Sequence, residues 1–93
     1  MTMKSFYEIF SSAHRLIPGR TEQDHLKLLI DISKMRSDKV INALHDYFVL
    51  GATRTDVCHK YNVNKGYLSL KIRELQELSG RVYKLFPYYM DYN

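Results

Sequence analysis

Apolar residues along this chain recur at helical spacing, and no segment alternates convincingly with a period of two, so the chain reads as all-α. Between Ser5 and Leu16, the residues Phe6, Ile9, Phe10 and Ala13 fall at i, i+3, i+4 and i+7 and predict a first helix. Thr21-Glu22-Gln23-Asp24 has the form of a capping box, and the helix after it carries Leu26, Leu28, Leu29, Ile30, Ile32 and Met35. Apolar residues there cover more than one face, as expected of a central helix or one shared with another subunit. Ser37 is the expected N-cap of a third helix through Val40, Ile41, Leu44, Tyr47 and Phe48, closed by a left-handed Gly51.

Thr53-Arg54-Thr55-Asp56 repeats the capping pattern and opens a short helix whose inward residues are Val57, Cys58 and Tyr61. Asn64 caps a longer helix holding Leu68, Ile72, Leu75 and Leu78, which ends at Gly80 or bends through it toward Leu85. Pro87 and Tyr88-Tyr89 are expected to end regular structure. The architecture is therefore one domain over residues 1–93, of about five helices, with the first fifteen or so residues peripheral.

The stretch from Arg54 to Ser69 has the spacing of a helix-turn-helix, and the motif as a whole occupies about residues 53–79. Such a motif needs a small residue where its two helices touch, which Cys58 supplies. Four residues on, the chain must turn tightly, and Asn62 tolerates positive φ better than other non-glycine residues. Val63 then plugs the turn and Leu68 anchors the second helix. One position departs from common versions: eight residues after the plug, where an apolar side chain is usual, stands Lys71, with Ile72 beside it.

Composition changes this picture in one direction. The net charge is +4 and the isoelectric point about 9.2, which suits an anionic partner without proving one. Asn64 and Lys65 sit where backbone donors and positive charge meet a phosphate or a base edge. Gly66 permits close backbone approach, and Ser69, Lys71 and Arg73 are exposed positions further along the same helix. Arg54 and Lys60 read either as phosphate clamps or as solvated surface charges, and Tyr67 either as a sugar-phosphate contact or as packing under the helix. The candidate DNA-binding set is thus Arg54, Lys60, Asn64, Lys65, Gly66, Tyr67, Ser69, Lys71 and Arg73, with Cys58, Asn62, Val63 and Leu68 shaping the motif.

Other chemistries find no constellation. The single cysteine excludes an intrachain disulfide and a multi-cysteine zinc site. His14, His25, His45 and His59 lie on different segments, so no metal ligation is expected, nor any cofactor or small-molecule substrate. There is no glycine-rich phosphate loop and no nucleophile elbow, hence no enzyme. The aspartates Asp24, Asp31, Asp38, Asp46 and Asp56 read as helix-start or exposed acids. Nothing resembles a signal peptide, and no stretch approaches the ~18 apolar residues of a membrane span. A cytoplasmic, nucleoid-associated protein is the expectation, with a helical protein-interaction module that does not read DNA as the alternative.

At Leu16-Ile-Pro-Gly, Leu28-Leu-Ile-Asp-Ile-Ser, Ser37-Asp-Lys-Val-Ile-Asn-Ala, Val57-Cys-His-Lys-Tyr, Asn64-Lys-Gly-Tyr-Leu-Ser and Leu85-Phe-Pro-Tyr-Tyr, the sequence resembles the PapB/FocB family of fimbrial (adhesin biosynthesis) transcription regulators. The resemblance implies an all-α fold with a helix-turn-helix and oligomeric binding to A·T-rich double-stranded DNA repeats near fimbrial promoters. It also implies use of the minor groove, and activation or repression according to the site. An apolar residue at the Ile72 position belongs to the family pattern, so the departure at Lys71 does too. Self-association is the expectation for the apolar surfaces at Leu26–Met35, Tyr47–Leu50 and Tyr83–Tyr89; the alternative is that all of them fill one core.

Overall fold

In the computed structural model, which describes residues 14–90, every regular element is helical and no strand is present among those residues. We label the helices α1 (Gln23–Ser33), α2 (Asp38–His45), α3 (Arg54–Tyr61), α4 (Lys65–Tyr83) and α5 (Phe86–Tyr89). Between α2 and α3, Asp46–Leu50 forms a single wide π-helical turn. The helix expected over residues 5–16 lies mostly outside the described residues. Its end, residues 14–16, is not helical. The reason is visible at Leu16: its N–H donates to Gln76 Oε1 and its carbonyl accepts from Gln76 Nε2, both at 2.8 Å. Both backbone groups are thereby taken out of any helical ladder.

Leu26, Leu29 and Ile30 set the buried stripe of α1, at i, i+3 and i+4, while Leu28 and Ile32 point outward with 64% and 51% of their surface exposed. The expected capping box at Thr21 does not form. Thr21 is buried; its hydroxyl donates to the Ile17 carbonyl at 2.9 Å and its N–H to the Phe48 carbonyl at 3.1 Å. Thr21 closes the preceding loop, and the helix starts one residue later, with Glu22 at the N-cap position and no side-chain bond there. α1 ends on Lys34, which stands in the left-handed region at φ 61°.

Ser37 caps α2 as expected, accepting from Val40 N–H. The helix predicted to run unbroken to Gly51 instead widens at Asp46, whose carbonyl accepts from both Gly51 and Ala52 N–H. The wide turn is sandwiched between two environments: Phe48 is fully buried in the core, and Asp46 is buried against α3. Gly51 then turns the chain at φ 80°. It passes so close to Gly19 that a Cβ on either residue would meet the other's Cα at 3.1 or 3.3 Å, tighter than nearly all real contacts. Glycine is required at both places by that approach as well as by positive φ.

Leu26, Leu29, Leu44, Phe48, Leu68 and Leu75 form the centre of one core, drawn from α1, α2, the π turn and α4, and α3 adds Val57 to it. α4 is the longest element and passes straight through Gly80 to Tyr83; Leu68, Ile72, Leu75 and Ser79 line its buried side. Ser79 Oγ donates to the His14 carbonyl at 2.7 Å, so together with Gln76 it straps the incoming chain along the far half of α4. Regular structure was expected to stop at Pro87. Instead Pro87 lies in the first turn of α5, where its missing N–H and fixed φ cost nothing.

Candidate nucleic-acid interface

Helix α3 is short because its signals are close together. Thr53 Oγ1 accepts from Asp56 N–H at 3.1 Å at one end, and Asn62 leaves the helix in the left-handed region at φ 54°, ψ 51° at the other. The N–H of Asn62 caps the Cys58 carbonyl, and Val63 N–H donates to that same carbonyl at 3.0 Å. Val63 is buried, as the turn-plug reading requires, and Leu68 is fully buried one turn into α4. Burial of such a side chain contributes about 1.5–3 kcal/mol, enough to fix the angle at which α4 leaves the turn. Cys58 is half-buried and packs on the core rather than standing open as a nucleophile. Asn64 Oδ1 accepts from Tyr67 N–H at 3.0 Å and starts α4. The residues from Thr53 through α4 therefore have the helix-turn-helix arrangement.

The predicted contact residues divide into two groups. Lys65, Ser69 and Arg73 are spaced i, i+4 and i+8, and Gly66 lies beside them. Lys65, Gly66 and Arg73 are exposed and Ser69 is half-buried. Tyr67 and Lys71 lie on the other flank. At 100° per residue, Lys71 and Arg73 point about 160° apart, so the helix does not present its three cations as one face. Lys71 is also not a free cation: its Nζ lies 3.2 Å from Glu74 Oε2 and 5.3 Å from the centre of the Tyr67 ring. The hydrogen bond to Glu74 holds its ammonium pKa above the ordinary value.

Two further predicted contacts are pre-positioned by protein partners. Arg54, exposed at the start of α3, has its guanidinium 5.8 Å from the centre of the Tyr47 ring. Lys60 Nζ lies 3.2 Å from Asp46 Oδ2, which raises its pKa mainly through that hydrogen bond. Asp46 was read from the sequence as one more solvated acid, and here the structure corrects the reading. The carboxylate is buried and also accepts from Tyr61 Oη at 2.7 Å, with His45 Nδ1 at 3.3 Å from its other oxygen. The Tyr61 hydrogen bond, more than the neighbouring His45 and Lys60 groups, draws its pKa below the usual carboxylate value against the opposing effect of burial. Asp46 thereby bolts the end of α3, and with it the turn at Asn62, to the π segment.

One residue absent from the sequence-based set is Leu70. It is 38% exposed and lies four residues after Gly66 and three before Arg73, hence on the outward face. An apolar side chain there is the kind that touches a thymine methyl group. Its i+4 spacing from Gly66 is the sequence signal that places it on this face. Among the described residues no three His, Cys, Asp or Glu side chains are grouped to hold a metal ion.

A family described as adhesin biosynthesis transcription regulatory protein (PapB) matches residues 1–89. The chain belongs to this family. It is 51% identical over 74 residues to the regulatory protein FanB of Escherichia coli, covering 80% of this chain and 75% of that protein. It is 45% identical over 76 residues to the major pilus subunit operon regulatory protein PapB of E. coli, covering 82% and 73%. Its fold matches the crystal structure of E. coli FocB with a TM-score of 0.76 at 38% identity, over 94% of this chain and 99% of that one. The all-α fold read from the helical spacing is thus the fold of the family, and transcription regulation of fimbrial adhesin genes is its function.

Proposed function

We propose that this regulator binds A·T-rich double-stranded DNA directly through residues 53–79, with the N-terminal half of α4 as the reading element. The observation that carries the reading is the turn: left-handed Asn62, buried Val63 and buried Leu68 hold α4 so that Lys65, Gly66, Leu70 and Arg73 are exposed on its first turns, with Ser69 half-buried among them. Asn64 lies at the N-terminal end of that helix, where backbone donors favour a phosphate. Arg54 and Lys60 would meet the DNA backbone from α3, and Tyr67 and Lys71 from the other flank of α4. A narrow A-tract minor groove attracts such Arg and Lys side chains. Regulation of transcription then takes place in the cytoplasm, at the nucleoid. No helix among the described residues is long and apolar enough to cross a membrane.

One domain with so few base-facing side chains binds a single site weakly, so adjacent copies on phased repeats supply the affinity. The surface available for their contact is Leu28 and Ile32 on α1, Leu50 after the π turn, and Leu85, Phe86, Tyr88 and Tyr89 at the C-terminal end, all exposed. That exposure also favours the second reading, a protein-interaction module. Mobility shift on A·T-rich duplex at rising salt separates the two. DNA binding predicts affinity that falls steeply with salt, lowered further by Lys65→Ala and Arg73→Ala in folded protein. Affinity unchanged in both variants would place the DNA surface elsewhere.

A further inference from the structure

The flank of α4 that carries Lys71 and the exposed Tyr67 faces a neighbouring segment of the chain. It forms one wall of a groove of about 540 Å³ whose other wall is the connection between α1 and α2. Lys34, Arg36, Lys71 and Arg81 line the groove against Glu74 and Glu77. Of these cations only Lys71 is ion-paired among the described residues. Lys34 and Arg36 are exposed, and neither was among the residues selected from the sequence.

This connection is anchored to the DNA-reading motif. Lys39 Nζ, on the first turn of α2, donates to the Asn62 carbonyl at 3.3 Å, tying the segment to the turn between α3 and α4. Its path is fixed internally as well: Ser33 Oγ donates to the Ile30 carbonyl at 2.6 Å and accepts from Met35 N–H at 3.2 Å. Lys34 occupies the left-handed C-cap of α1, a position that helices more often give to glycine. A cation thus stands at the rim of the groove where a residue without a side chain would be sterically easier. The N-terminus of α2, starting after Ser37, opens into the same groove and adds its partial positive charge.

We infer that this groove is a second contact surface for the DNA backbone, with Lys34 and Arg36 holding phosphates beside the reading helix. The inference rests on the proposed DNA binding and extends it to an element outside the helix-turn-helix. The chemistry recognised is a row of phosphates. Three cations without an ion pair rim the groove, and Arg36 can take a phosphate with two parallel hydrogen bonds. Glu74 neutralises Lys71 and opposes the same phosphates. The contact is sequence-independent: it positions the domain and leaves base reading to the outward face of α4.

The test uses the full chain, with affinity measured against salt for an A·T-rich duplex and for a duplex of random sequence. The set comprises wild type, Lys34→Ala/Arg36→Ala, Glu74→Gln and, as a control in the reading helix, Arg73→Ala, each with its melting temperature. The double variant is expected to melt like wild type. It should lose roughly fivefold in affinity per lost contact at about 0.15 M salt and flatten the log–log salt slope by about 0.9 per contact. Both duplexes should lose equally. Glu74→Gln, which removes a negative charge and frees Lys71, is expected to tighten binding severalfold. If wild type binds with steep salt dependence and Arg73→Ala weakens it, but Lys34→Ala/Arg36→Ala leaves affinity and slope unchanged, the groove proposal is wrong and the motif reading stands. Lost affinity with an unchanged slope would also overturn it, because the groove would then seat protein rather than phosphate. A wild type without salt-dependent DNA binding would bring down both.

Discussion

Replacing Asp46 tests whether a carboxylate outside the helix-turn-helix sets the geometry of the motif. Asp46→Asn keeps an oxygen to accept from Tyr61 Oη but removes the charge that shortens that bond to 2.7 Å. Asp46→Ala removes the acceptor and leaves the Tyr61 hydroxyl half-buried without it. Hydrogen bonds to charged groups contribute about 1.5–3 kcal/mol and neutral ones about 0.5–1.5 kcal/mol. The difference puts Asp46→Asn at about 1 kcal/mol and Asp46→Ala at about 2 kcal/mol. Lys60 adds little to either figure because it is exposed at its charged end. For a domain of this size each kcal/mol is about 4–8 °C in Tm, so the two variants should melt roughly 5 and 10 °C below wild type. The pH dependence fixes the sign. The folded pKa of Asp46 lies below its unfolded value of 3.8, so the stabilisation is complete above that value and is lost as pH falls through the folded pKa. Thermal unfolding followed by circular dichroism should therefore show a gap between wild type and Asp46→Asn at pH 7 that narrows as pH falls below 3.8. A gap that persists unchanged at pH 2, or no gap at pH 7, would refute the charge-assisted bond as the source of the effect.

Two further outcomes are expected. Asn62→Gly should leave stability within a few tenths of a kcal/mol, whereas Asn62→Val should cost about 1–2 kcal/mol in chemical denaturation, since only the valine is strained at φ 54°; equal stability of the two would mean the turn relaxes to another conformation. Gln76→Ala should cost about 2 kcal/mol by losing both bonds to Leu16, and should speed hydrogen exchange at the Leu16 amide while leaving the α3 amides protected; uniform loss of protection would mean the strap is not a separate unit.

What the sequence made legible was local. Asn62, Val63 and Leu68 could be placed because each answers a constraint set by its immediate neighbours: chirality at the turn, burial of the plug and one helical turn to the anchor. Ser37, Thr53 and Asn64 were recognisable as caps for the same reason. Thr21 looked identical to them but is claimed by Ile17 and Phe48, and the Phe48 contact comes from a segment 27 residues further along. Asp46 was misread because its strongest partner, Tyr61, is 15 residues distant, and no periodicity announces such a pair. The split between Lys71 and Arg73 was computable from helical geometry alone. Grouping residues by charge instead of by angle concealed it. Lys34 and Arg36 acquire meaning only when the α1–α2 connection is seen against α4.

The π turn at Asp46–Leu50 bears on how this chain can change in length. A π turn holds one residue more than the α-helical ladder would accept, and here that extra residue separates Asp46, fixed against α3, from Gly51, fixed against Gly19. Loss of a single residue between them would restore ordinary helical bonding locally but would pull one of the two anchors out of place. Gain of a residue would have no ladder to enter. Segments tethered at both ends in this way resist insertion and deletion even where their side chains, such as that of exposed Leu50, are free to vary. Length variation in chains of this fold should therefore gather at the termini, while the five positions from Asp46 to Leu50 keep their number.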